Sequence, residues 1–170
     1  MKSCLTILSI LFLSIFSVAQ DTQFSQYFNI PNYMNPALTG SGSPHVRGVV
    51  HSRIQWPGLE TRKLSNLVSF EKSLNKINSG VGFYFLADNY AKGTLRKYTL
   101  NVQYAYTIDL NDKISVKSGV SGGFLMYQKN NEQMIFPDQY NSFGLTGVNT
   151  NEPNASQNSI APDLGLGMML

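Results

Sequence analysis

The sequence has one cysteine, Cys4, and it lies within the first few residues. A chain with a single early cysteine has no disulfide framework to staple it. Charge is scarce as well: Asp, Glu, Lys and Arg make up 14% of the chain, where a soluble domain has about 25%. Beyond residue 19 no apolar run approaches the roughly 18 residues of a membrane-crossing helix, and no segment has the 3.6-residue periodicity of an amphipathic helix. The chain has 13 Lys and Arg and 10 Asp and Glu; without Lys2, 12 basic residues face 10 acidic ones. That balance is too even for a nucleic-acid surface. Catalytic constellations are missing too. The two histidines, His45 and His51, have no carboxylate, nucleophile or oxyanion motif at a useful spacing, and there is no metal-ligand cluster. The chain therefore reads as no enzyme, with no cofactor and no nucleic acid.

What is present begins with a leader. Lys2 precedes an apolar stretch from Leu5 to Val18, and Ser17-Val18-Ala19 puts small residues before a cut after Ala19. This is the layout of a cleaved signal peptide over residues 1–19, and the apolar core is too short to span a bilayer. Cys4 falls inside it, so the exported chain has no cysteine.

After the leader, residues alternate. In "YTLNVQYAYTID", Tyr98, Leu100, Val102, Tyr104, Tyr106 and Ile108 share one face, and Thr99, Asn101, Gln103, Ala105, Thr107 and Asp109 share the other. A strand turns successive side chains to opposite faces, so this is a strand with one apolar and one polar side. The same pattern appears at 46–56, 80–88 and 114–127, more weakly at 64–71 where Asn66 interrupts the apolar row, and again from Asp163 to Leu170. Six strands result, several as long as the roughly 9–11 residues a tilted strand needs to cross a bilayer. The connections alternate in length, with short links after the second and fourth strands and a long polar loop over 128–162 after the fifth. Outer-membrane barrels have short periplasmic turns and long outside loops. The fold expected is all-β, an antiparallel up-and-down transmembrane β-barrel of the outer membrane over 46–170, with the first strand running outward. Six strands are fewer than the eight or so that close such a barrel, so the chain reads as the N-terminal part of a longer barrel or a truncated product. Trp56, Tyr98 and Tyr127 are expected in the outer aromatic girdle, and Tyr104 and Tyr106 in the inner one. Arg47, His51, Arg53 and Lys117 fall on polar rows and are expected to line the lumen. Two other readings remain: a diffusion or transport pore with an anion-favouring lumen, and a soluble exported β-domain with its apolar face turned inward. Asn154 begins a glycosylation-type sequon, and the long loop is either a binding loop or a solvated one.

Residues 20–45 fit none of these strands. The stretch "QDTQFSQYFNIPNYMNPALTGS" from Gln20 to Ser41 has four aromatics, two prolines, three asparagines and one charge. Pro31 and Pro36 keep it out of helix and ladder. The residues Gln23, Phe24, Ser25, Gln26 and Tyr27, followed by Asn35, Pro36, Ala37 and Gly40, resemble the N-terminal signature of the PorP/SprF family of type IX secretion outer-membrane proteins of Bacteroidetes. Arg53, Gln55, Trp56 and Gly58 resemble a second mark of that family, and Tyr104-Ala105-Tyr106 a third. Thr22 stands where the family usually has proline. The resemblance implies an outer-membrane barrel without enzymatic activity that serves secretion and surface attachment of adhesins in gliding bacteria. It also implies contacts with the periplasmic ring lipoprotein and with cargo C-terminal domains. On this reading residues 20–45 form a periplasmic segment. It either plugs the barrel or docks the secretion machinery.

Overall fold

The computed structural model describes residues 22–41, 46–59, 61–111, 114–130, 140–141, 144–145 and 157–170. The expected leader, His45, the Asn154 sequon and most of the long loop lie outside the described residues.

The expected alternation is realised as β1 (Val46–Gln55), β2 (Lys63–Leu74), β3 (Ser79–Tyr90), β4 (Leu95–Asn111), β5 (Ile114–Lys129), a two-residue ladder of β6 (Tyr140–Asn141) with β7 (Gly144–Leu145), and β8 (Gln157–Met169). The six long strands form one antiparallel up-and-down sheet in the order β1-β2-β3-β4-β5-β8. The shortest of them, β1, has 10 residues, and β4 has 17. All six therefore reach bilayer-crossing length. The described residues include no helix long and apolar enough to cross a membrane. Two ends are defined by the connections. The upper end carries the links β1–β2, β3–β4 and β5–β8; the lower end carries β2–β3 and β4–β5.

Burial settles which face is which. On β4 the apolar row is open, with Leu100 47% and Val102 61% exposed, while Thr99, Asn101 and Gln103 are at most 4% exposed. The same inversion holds on β1, where Val50 is 78% exposed. Water would penalise so much open apolar surface at about 25 cal/mol per Å², and hydrocarbon would not. The soluble-domain reading needs the apolar face inside, and the sheet places it outside. Among the described residues the outward rows carry two charges, Lys72 near the lower end and Arg96 near the upper end. Between them lies an uncharged band of Val, Leu, Phe, Tyr and Met. Within the band Phe70 stacks on Phe83 at 6.0 Å and Phe85 on Tyr98 at 6.3 Å. The polar interruption at Asn66 is neutralised locally, because its cross-strand partner Ser52 donates to Asn66 Oδ1 at 2.8 Å. This is the wall of a membrane β-barrel.

Two expectations are corrected. Tyr127 pairs with Lys97 in the β4–β5 ladder and shares its concave face, with the Lys97 ammonium 5.9 Å from the ring. It is therefore not in the outward girdle: β5 alternates without a break from Val116 to Lys129, and Phe124 and Met126 hold the outward row. The last strand starts at Gln157 and β5 runs to Lys129, so the loop is shorter than 128–162. Pro162 concealed the extension. Pro162 stands inside β8, opposite Phe124 of β5.

Candidate functional site

The concave face is polar, and the N-terminal segment sits on it. The segment is built from short turns: a 3₁₀ turn at Tyr27–Asn29, one turn of helix at Pro31–Met34 and a second 3₁₀ turn at Pro36–Leu38. Each proline stands at a first helical position, where its missing N–H is not needed. Asn35 caps the last turn by accepting from the Ala37 N–H at 2.9 Å. The result is a compact strap.

The strap runs the length of the sheet, antiparallel to β1. At its upper end Thr22 is buried, donating to Asp88 and accepting from Lys63 Nζ at 2.8 Å, with Lys63 and Asp88 3.8 Å apart. Lys63 opens β2 and Asp88 lies near the close of β3, so both mark the upper end. The Gln23 carbonyl accepts from Arg53. Midway, Asn32 is fully buried; its carbonyl accepts from Gln103 Nε2 at 2.7 Å and its side chain from Ser69 at 3.3 Å. At the lower end Thr39 is buried and its carbonyl accepts from Lys117 Nζ at 3.0 Å, while the same ammonium donates to Ser41 at 2.6 Å. The Gly40 N–H donates to Glu71 at 2.7 Å, and Glu71 is also held by Arg47. Asn35 Nδ2 donates to the Met168 carbonyl of β8 at 3.2 Å. Every long strand thus contributes to holding the strap.

Apolar contacts reinforce the upper half. Phe24, 2% exposed, packs edge-on against His51 at 5.4 Å and Tyr33 at 5.9 Å, in a small core with Ile30, Leu67, Tyr84 and Leu86. The concave face is therefore not purely polar: β2 and β3 supply the apolar seat for Phe24 and Ile30. Beside this core a cavity of about 680 Å³ opens at the upper end, bordered by Tyr27, Tyr33, Tyr84, Lys97 and Tyr127. In the lower half the fit is backbone to backbone. A Cβ on Gly119 would overlap the Pro36–Ala37 peptide, and one on Gly80 would overlap the Thr39 carbonyl. These glycines allow the strap to lie flat on the sheet. Gly119→Val is expected to lift the lower half of the strap and destabilise the fold by about 1–3 kcal/mol, the usual penalty of overpacking. The check is a lower temperature for loss of heat-modifiable gel migration.

The residues expected from sequence are distributed as follows. Gln23, Ser25, Gln26 and Tyr27 are exposed on the strap, whereas Phe24 is buried. Asn35, Pro36, Ala37 and Gly40 form its tightly seated lower half. Arg53 reaches the strap, while Gln55, Trp56 and Gly58 close β1 and turn into the next link, Trp56 with φ +51°. Arg47, His51, Arg53 and Lys117 do share the concave face, but Arg47 is engaged by Glu71 and the other three contact the strap directly. Sequence reasoning missed Lys63, Glu71, Asp88 and Gln103. Their signal was available: they stand on polar rows with no solvent-facing role, opposite a charge-poor segment rich in hydrogen-bonding groups. Among the described residues no group of His, Cys, Asp and Glu could hold a metal ion.

An inside-out antiparallel sheet with a polar lumen and a bound strap defines an outer-membrane-type β-barrel protein. The family model for the type IX secretion system membrane protein PorP/SprF matches residues 16–170, and the chain belongs to that family. It is thereby a membrane component of type IX secretion. No curated protein and no solved structure matches the chain.

Proposed function

We propose that the chain is a non-enzymatic part of the outer-membrane secretion machinery that supports secretion and surface attachment of adhesins through protein–protein contacts. The periplasmic ring lipoprotein and adhesin C-terminal domains are its partners, and the strap is its plug. β1 runs outward, so the upper end faces the cell exterior. The observation that carries this reading is the occupied concave face. The strap touches all six long strands, and the basic residues that would give a pore its anion preference are engaged with Glu71 or the strap. A wall whose charges are spent on an internal segment suits a scaffold better than a conduit.

The test joins two measurements on the full chain. Gene deletion is expected to abolish adhesin display, and the purified protein in a planar bilayer is expected to show no steady conductance. A steady open conductance with adhesin display intact after deletion would overturn the secretion role in favour of the pore.

A further inference from the structure

We infer that the strap is threaded through the lumen in the direction opposite to β1, so that the Gln23–Tyr27 end of the segment is presented at the cell-surface mouth, not the periplasmic one. Chain order alone suggests the reverse, since the segment precedes an outward-running strand. Three independent anchors fix the direction. Thr22 is held by Lys63 and Asp88, and Gln23 by Arg53, all at the upper end. Asn32 is tied to Ser69 and Gln103 at mid-height. Gly40 and Thr39 are tied to Glu71 and Lys117 toward the lower end. β1 then climbs from Val46 at the lower end.

This has two consequences for the surface. Tyr27 borders the open volume at the upper mouth, and the exposed Ser25 and Gln26 border a second one beside Val50, His51, Ser52 and Arg53 of β1. A partner reading them approaches from outside the cell, whereas a periplasmic partner meets the β2–β3 link and the seated lower half of the strap. The inference rests on the outward reading of the upper end, and the experiment separates the two.

The only cysteine is Cys4, so the unsubstituted chain supplies the background for single-cysteine labelling. Four variants of the full chain are treated on intact cells with a membrane-impermeant maleimide: Ser25→Cys, Gln26→Cys, Leu59→Cys in the β1–β2 link and Lys76→Cys in the β2–β3 link. All four positions are exposed, and variants that lose heat-modifiable migration are set aside, the two strap positions standing in for each other. Ser25→Cys or Gln26→Cys is expected to label on intact cells as Leu59→Cys does, while Lys76→Cys labels only after the outer membrane is permeabilised. Strap positions that stay silent with Lys76→Cys, while Leu59→Cys labels, overturn the threading. Labelling of Lys76→Cys in place of Leu59→Cys on intact cells overturns the outward assignment itself.

Discussion

Phe24→Ala is expected to destabilise the folded chain by about 3–5 kcal/mol, the range for removing a buried aromatic ring. The ring is 2% exposed and fills the junction of the strap with β1, β2 and β3 through His51, Tyr33 and the Leu67–Leu86 core. Nothing adjacent can close the gap easily. Tyr33 is held by its hydroxyl, which donates to the Thr22 carbonyl at 2.7 Å, and His51 is fixed on a strand. The neighbouring Tyr27→Ala provides the contrast. Tyr27 is 52% exposed and touches Phe28 edge-on at 6.0 Å, so its truncation should fall near the ±0.5 kcal/mol of ordinary surface changes. Trp56 is the single tryptophan, which makes its fluorescence a clean reporter of urea unfolding in detergent or lipid. Equal losses for the two variants would contradict the seating of the strap described above. If Tyr27→Ala keeps the barrel stable but loses co-purification of a secretion partner, the exposed edge of the strap is a docking strip as well as a plug.

These two residues also show what the sequence disclosed and what it withheld. Phe24 and Tyr27 belong to one short motif, and one dimension cannot say which points inward: a chain of brief turns has neither the two-residue nor the 3.6-residue period that assigns faces. The strands were different. Strict alternation on β4 separated Leu100 and Val102 from Thr99 and Asn101 without ambiguity, and low charge indicated that the apolar row faces outward. Tyr127 was misplaced for another reason: an aromatic at a strand end suggested the girdle, although the row of Phe124 and Met126 puts it on the opposite face. Pro162 looked like a loop residue because proline cannot donate to a ladder; the register places it inside β8, opposite Phe124. The strap's direction was hidden for a further reason. It depends on pairings such as Thr22 with Asp88 and Gly40 with Glu71, which connect residues 66 and 31 positions apart, and no local pattern encodes such a distance. The glycines were the partial exception. Gly80 and Gly119, in strands where Gly is otherwise unfavourable, signalled a close backbone approach whose partner only the structure names.

Glu71→Ala should weaken the fold by about 3–5 kcal/mol, as expected when one partner of a buried ion pair is removed and the other is left uncompensated. Glu71 is 3% exposed and has two tasks. Its carboxylate holds Arg47, whose side chain is 25% exposed, and it accepts from the Gly40 N–H in the turn that ends the strap. Gly40 has φ +71°, with Lys72 and Gly80 backbone close by, so the turn has little room to find another acceptor. The lumen wall offers less water than an open surface to solvate the stranded guanidinium, which is why the loss should exceed that of an exposed pair. Two comparisons divide the effect. Arg47→Met with Glu71→Leu removes both charges together and should recover much of the stability, since replacing a buried pair with apolar residues is often near neutral. It leaves the Gly40 N–H unsatisfied, which costs about 1–3 kcal/mol by itself. The double variant should therefore settle between the wild type and Glu71→Ala in urea midpoint. Its strap, loosened at Gly40 while Lys117 still holds Thr39 and Ser41, should make the planar-bilayer current flicker where the unsubstituted protein is silent. A double variant as unstable as Glu71→Ala would mean that the Gly40 contact outweighs the ion pair, and that the strap's lower anchor, not charge compensation, is what Glu71 supplies.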